Sequence, residues 1–458
     1  MPIALVTMPA RSALRSYWRP LALAVACLAG SPLARSMDLL QIYEAARTQD
    51  LTLRAARATE AAARERQAQA RAQLLPSLSL SVGRSRNDLT RTQTDEFAQE
   101  APGERYLSYN QTLQLRQPLY RKPLLAALAQ ARHVGLEAAA TLERERQELL
   151  VRVTGAYLEV LLAQDQGDLV RAQQAAMQTQ LAASRKAFAT GFGTRTDIDE
   201  AQARLDMGQA RALEASQQLA LVQRQLEILI NQPAGVLARL DPAKLALRLP
   251  EPASLEAWIA LAQGHSPELQ ALTARREVAR LELEKAEAGH YPTLDVLAQI
   301  TRSGSESVTS PGTGYSNRMI GVQLNLPLYA GGQVSSLARQ ALAEQLRAEA
   351  LLELARRELA VQLHREFRGV TEGILKVRAL EQALKSAEQL VLSSQRSWQA
   401  GSRTVVDIFN AQEQAQLVRR DLAQARAQQL MARVRLVVLA GQDGAQMLAE
   451  LNGWLTPP

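Results

Sequence analysis

Cysteine is nearly absent: Cys27 is the only one in 458 residues. An intrachain disulfide framework is therefore excluded. The four histidines, His133, His265, His290 and His364, are scattered without metal-ligand spacing. No nucleotide-cradling loop occurs. Gly191-Phe192-Gly193 sits in a turn between helical runs with no flanking strand, so it is not a dinucleotide signal. No cofactor and no catalytic constellation follow from the residues present. Aromatics make up 4% of the chain, too few for a large globular core. No apolar run of 18 residues occurs, so no segment reads as a membrane-spanning helix. If the chain crosses a membrane, it does so with strands.

The net charge of +7 comes from interspersed arginines and acids with no basic block, so nucleic acid is not an implied partner. Residues 1–36 read as an export signal. Arg11, Arg15 and Arg19 precede the apolar run 21–30, and Ala34-Arg35-Ser36 follows it. Cleavage after Ser36 would remove four arginines and no acid, leaving 422 residues with a net charge of +3. Cys27, after Val25-Ala26, is an alternative lipidation site, but the apolar core left before it would be about six residues, short of the usual length.

What is abundant is Ala, Leu, Gln, Arg and Glu, a composition that favours long helices with narrow seams. The chain is also duplicated. Pro76 and Pro292 stand 216 positions apart, Pro118 and Pro327 stand 209 apart, and Asp197 and Asp407 stand 210 apart. The change in offset falls between two strand-like pieces, so the loop joining them varies while the helical length does not.

Four segments read as strands: 77–86, 108–117, 293–302 and 317–326. Leu78, Leu80 and Val82 alternate with serines. Leu294, Val296, Ala298 and Ile300 share one face, as do Ile320, Val322, Leu324 and Leu326. Each is about ten residues, enough for a tilted strand to cross a bilayer. Tyr106, Tyr109, Tyr120, Tyr291, Tyr315 and Tyr329 flank them, as interfacial girdles do. The loop 303–316 between the second pair is rich in Ser, Gly and Thr and suits an exposed position. Four strands do not close a barrel, and an open edge in lipid is not viable, so two or three copies must associate. A soluble hairpin covering a helix end is the alternative.

Long helices are expected at 122–189 and 331–399, with shorter ones at 39–72, 197–230, 255–288 and 405–440. In 331–399, Leu363, Val370, Val377, Leu384, Val391 and Trp398 recur every seven residues, with Phe367 and Ile374 between them. Such a period implies a left-handed supercoil. Two short helices end to end match one long helix of about 100 Å. The expected organisation is a first repeat at 37–230, a connector with four prolines at 231–254, a second repeat at 255–440 and a tail at 441–458. A coiled-coil spacer without a pore is the alternative, but matching strand pairs in both halves count against it.

On QPLY at 117–120, LPLYAGG at 326–332 and GSRTVVDIFNA at 401–411, the chain resembles the TolC family of outer-membrane channel-tunnels over nearly all of its mature length. The resemblance implies a mainly α protein with a transmembrane β-barrel. A homotrimer completes twelve strands, and a coiled-coil α-barrel crosses the periplasm. Pro118, Tyr120, Pro327 and Tyr329 mark the strand–helix transitions. Carried over residue by residue, Arg403 helps to close the tunnel entrance with Thr196 and Asp197 as partners. Asp407 is the first of two acids ringing that entrance. The second acid is replaced by Asn410, and a closing tyrosine by Trp398, so the ring should carry half the usual charge; Asp199 and Glu200 are candidates to restore it. The other reading of Asp197 and Asp407 is simple helix capping. The partners implied are a periplasmic adaptor, an inner-membrane ABC transporter, outer-membrane lipid and an exported polypeptide, with a toxin as the expected cargo, in type I secretion. A multidrug efflux pump with an RND transporter is the alternative.

Overall fold

The computed structural model describes residues 37–90, 103–191, 193–245, 247–307 and 312–456. The export signal, Cys27 and part of the loop 303–316 lie outside the described residues. The chain runs α1 (Leu39–Gln49), α2 (Leu51–Ala72), β1 (Ser77–Leu89), β2 (Glu104–Arg121), α3 (Lys122–Ala189) and α4 (Arg195–Ile230). After the short strand β3 (Arg239–Leu240), the order repeats as α5 (Leu255–His265), α6 (Pro267–Glu287), β4 (Thr293–Ser305), β5 (Thr313–Asn325), α7 (Gln333–Gln399) and α8 (Val405–Leu439). A last helix α9 (Gly444–Gly453) and strand β6 (Leu455–Thr456) end the described chain.

The duplication extends to the caps. Asp38 and Ser254, 216 apart, accept a backbone N–H at the starts of α1 and α5. Thr194 and Thr404, 210 apart, open α4 and α8 with reciprocal capping boxes. The helices expected to run unbroken over 39–72 and 255–288 are each divided. Asp50 leaves the helical region (ψ 123°) and its Oδ1 accepts from the Leu53 N–H at 2.7 Å, starting a new helix. Ser266 also leaves the helical region (ψ 121°), without a side-chain cap, before Pro267, which has no N–H to continue the α5 ladder. Propensity alone runs through both sites; a single cap and a single proline override it.

The seam of α7 packs as its period requires. Leu363, Val370, Ile374 and Val377 are buried, against Leu422, Ala425, Ala432 and Leu436 of α8. Near mid-length a wider core gathers around Tyr157, Leu149, Leu226 and Leu430, with Ile42 from α1 and Leu448 from α9. Each such aliphatic side chain contributes about 1.5–3 kcal/mol by burial. The tail is part of this belt. β6 pairs antiparallel with β3 of the connector, and the Tyr157 hydroxyl donates to the Ala238 carbonyl at 2.6 Å.

Candidate membrane sheet and tunnel tip

The four long strands form one antiparallel sheet in the order β1-β2-β4-β5, so the two hairpins join through β2 and β4 while β1 and β5 are left as edges. Register follows the alternation. Leu80 lies opposite Leu113, Leu113 opposite Ile300, and Ala298 opposite Ile320. One face thus carries Leu78, Leu80, Val82, Leu113, Leu115, Ile320, Val322 and Leu324, all exposed. The other carries Ser79, Ser81, Thr112, Gln114, Gln299, Thr301 and Gln323. A sheet with one continuous exposed apolar face and one polar face suits lipid outside and water inside. Tyr106, Tyr109 and Tyr315 sit at one end; Tyr120, Tyr291 and Tyr329 sit at the other.

The strand–helix passages differ between repeats. In the first, β2 runs past Pro118 with a bulge between Pro118 and Tyr120, then enters α3 directly at Lys122. The bulge accommodates a residue that has no N–H for the ladder. Lys122 Nζ stands 4.0 Å from the centre of the Tyr291 ring. In the second, the strand stops at Asn325, before Pro327, and Gly331 and Gly332 turn into α7 with φ of 60° and 81°. Leu328 and Tyr329 are 89% and 90% exposed.

At the inner passage, Asp295 is 3% exposed and held by two arginines. Its Oδ2 accepts from Arg116 Nη2 at 2.7 Å and from Arg121 Nη2, and its Oδ1 from Arg121 Nε at 2.8 Å. Sequence reasoning passed over this cluster; the signal available was a lone acid inside an otherwise apolar strand pattern.

The opposite end of the long helices is the tip. Gly191 and Gly401, at φ of 79° and 76°, end α3 and α7 in the left-handed region that glycine adopts without strain. Asp197 Oδ2 accepts from the Thr194 N–H at 3.0 Å and hydroxyl at 2.7 Å; Asp407 Oδ2 accepts from those of Thr404 at 2.9 and 2.8 Å. Both acids therefore cap helices. The Asp407 carboxyl is held below the usual carboxylate range, first by the Thr404 N–H, then by its hydroxyl, with a smaller contribution from the Arg403 charge.

Trp398, half-buried, packs with Ile198 against Met177, Leu181, Ala201, Leu205, Val405 and Phe409, so the tip core joins both repeats. The Arg204 guanidinium lies 4.7 Å from the Phe409 ring centre and also pairs with Glu200 at 2.6 Å. Asp199 pairs with Arg195 at 3.3 Å. Asp199 and Glu200 are thus both paired with arginines of their own helix. Thr196 and Asn410 are exposed.

Arg403 is turned into its own hairpin. Its Nη1 donates to Ser394 Oγ at 3.0 Å, not to Thr196 or Asp197 of the same chain. In the register of the capping boxes its counterpart is Gly193. Ser394 has its counterpart in Ser184, also buried, whose hydroxyl has no hydrogen-bond partner among the described residues.

The family profile described as outer membrane efflux protein matches residues 42–232 and 258–442, one stretch in each repeat. The proteases secretion protein PrtF of Dickeya chrysanthemi is 33% identical over 423 residues, covering 92% of each chain. The alkaline protease secretion protein AprF of Pseudomonas aeruginosa is 34% identical over 413 residues, covering 89% of this chain and 85% of its own. The solved structure of CusC has the same fold, with a TM-score of 0.77 at 14% identity, covering 89% of this chain and 93% of its own. A mainly helical chain with one small two-faced sheet, matched along both repeats and located in the outer membrane, belongs to the outer membrane efflux protein family.

Proposed function

We propose that three copies form an exit duct across the outer membrane and periplasm, through which an inner-membrane ABC transporter and a periplasmic adaptor export a polypeptide in type I secretion. The observation that carries the branch is similarity over about nine-tenths of the chain to two proteins named for protease secretion. That similarity moves the cargo class from a toxin to a secreted protease. The shape supports a passive duct: two open sheet edges need further copies, and rods of about 100 Å reach well beyond a bilayer. Chemistry plays no part in this reading, and the energy comes from the transporter. Efflux of small molecules with an RND pump is the second reading, favoured by the family description.

Deleting the gene separates the two. Loss of extracellular protease with unchanged drug susceptibility is the expected result; retained protease secretion with raised drug susceptibility overturns it. A non-channel spacer is excluded by discrete conductance of the purified protein in a planar bilayer, and its absence would sink the duct.

The entrance of this duct is the tip bearing Arg403, Asp407, Asn410, Thr196, Asp197 and Trp398. Arg403→Ser should raise conductance by freeing the α7–α8 turn from Ser394. Unchanged conductance removes Arg403 from the closing network.

A further inference from the structure

The apolar face of the sheet changes character toward the hairpin tips. On β1 its even-numbered residues run Leu78, Leu80, Val82, then Arg84, Arg86 and Asp88, with no break in the register against β2. On β4, Ala298 and Ile300 are followed by Arg302, and on β5, Val322 and Ile320 are followed by Arg318. Residues two apart share a face, so these arginines stand on the lipid side. Their depths match. Arg84 lies five residues before Leu89 and Arg318 five after Thr313, while Arg86 lies three before Leu89 and Arg302 three before Ser305.

Acids on this face do not balance the belt. Asp88 pairs with Arg105 at 3.0 Å. Arg84, Arg86 and Arg302 are exposed and form no ion pair among the described residues, and Glu306, just past β4, pairs with none of them. Arg84 and Arg86 are on an edge strand, but β5, the other edge, carries no acid that a neighbouring chain could offer them. At the opposite end of the same face, around Leu78, Leu115, Leu294 and Leu324, no charged side chain occurs among the described residues. Arg116 and Arg121 turn to the polar side there, onto Asp295.

An arginine facing lipid is tolerated near an interface, where its stem lies along apolar surface and its guanidinium reaches the polar layer. Unmatched guanidiniums at one interface and none at the other call for an anion in one leaflet. Their planar forks match phosphate oxygens two at a time.

Between Arg84 and Arg302, Tyr109 lies flat on the sheet. A Cβ on Gly304 would fall within its ring, and one on Gly314 would stand 3.6 Å from its hydroxyl. The row Arg84, Tyr109, Gly304, Gly314 is thus an aromatic shelf beside a guanidinium, with Arg302 on the shelf's other side. The hollow here, lined also by Val82 and Gln111, is about 480 Å³, within the range that holds a small ligand.

We propose that Arg84, Arg86 and Arg302 bind the phosphates of a phosphorylated sugar headgroup on an outer-leaflet lipid, with the sugar seated on Tyr109. The inference rests on the duct reading for which end of the sheet faces outward.

The test titrates the full-length protein in detergent with a bisphosphorylated disaccharide lipid, its dephosphorylated form and phosphatidylglycerol. The phosphorylated disaccharide lipid should bind roughly tenfold or more tightly than either of the others, as charge-assisted hydrogen bonds would give. Arg84→Gln with Arg302→Gln should abolish that preference, and Arg84→Lys with Arg302→Lys, which keeps the charge, should retain most of it. Tyr109→Ala should weaken both disaccharide lipids and leave phosphatidylglycerol as it was. Equal affinity with and without phosphate, or a preference that survives the double Gln variant, overturns the site. Phosphatidylglycerol bound as tightly as the phosphorylated disaccharide lipid overturns the sugar headgroup. Orientation is read separately: Thr90→Cys should react with a membrane-impermeant maleimide on intact cells. No reaction overturns the duct's orientation and this inference with it, whereas reaction without phosphate preference overturns this inference alone.

Discussion

The two repeats are alike in length and caps and unlike at both ends. α3 and α7 differ by one residue, and the boxes at Thr194 and Thr404 agree to within 0.1 Å in each matched contact. At the membrane end, however, the first repeat enters its long helix through a strand paired on both sides, and the second through a free edge. At the tip, a buried serine accepts from Arg403 in the second repeat, and its counterpart in the first has no partner among the described residues. What the copies share sets the length of the rod. Where they differ is where neighbouring chains or moving parts have to be met.

The largest way to break this comparison is at Asp295. Removing it leaves Arg116 and Arg121, both partly exposed, without the buried acceptor they share. Stranding one side of a buried ion pair costs about 3–5 kcal/mol, reduced here because Arg116 remains 44% exposed. Asp295→Ala should lower the temperature at which the assembled protein dissociates on a gel, while Ser79→Ala, at the equivalent position, should leave it unchanged. Equal effects from both would show that the clamp is not what distinguishes the repeats.

A smaller effect is expected at Gly193. A Cβ there would lie 2.8 Å from the Phe188 backbone nitrogen, closer than such contacts are tolerated. The first turn therefore has no room for the side chain that Arg403 supplies in the second, and Ser184 has no donor among the described residues. Gly193→Ala should cost about 1–3 kcal/mol of local stability as overpacking, read as faster amide exchange at the α3–α4 tip. Unchanged exchange would mean that the turn relaxes freely and that the difference between tips has another cause.

Sequence alone carried the rods, the hairpins and their faces, because period-7 and period-2 patterns report burial directly. Leu363 and Val370 are apolar because they pack, and Leu78 and Leu80 because they face outward from the sheet. The breaks at Asp50 and Ser266 escaped because one cap in the first case, and one proline in the second, outweighs a long run of helix formers. The Asp295 clamp and the Arg403–Ser394 bond escaped for another reason. They join residues whose separation carries no period, 179 positions in one case and nine in the other. The resemblance supplied names for the tip residues but not the pairing of Asp199 and Glu200 with their own arginines.

The smallest effect, and the one that separates capping from charge, concerns Asp407. Its carboxyl has a lowered pKa in the folded chain, so it contributes stability that is present above the unfolded value of about 3.9 and is lost as pH falls through the lower folded value. Amide exchange at the start of α8 should therefore be protected alike from pH 8 to pH 5 and loosen only below about pH 4. Asn in its place keeps an oxygen that accepts from Thr404, so Asp407→Asn should preserve that protection while removing the negative charge. If Asp407 also rings the entrance, the same substitution weakens cation preference and block by multivalent cations, because a ring of charge concentrates counter-ions. Protection lost together with block would assign both to the cap. Block retained with protection intact would leave Asp407 as the equal of Asp197, a cap in each repeat, and the tip's asymmetry would rest on Arg403 alone.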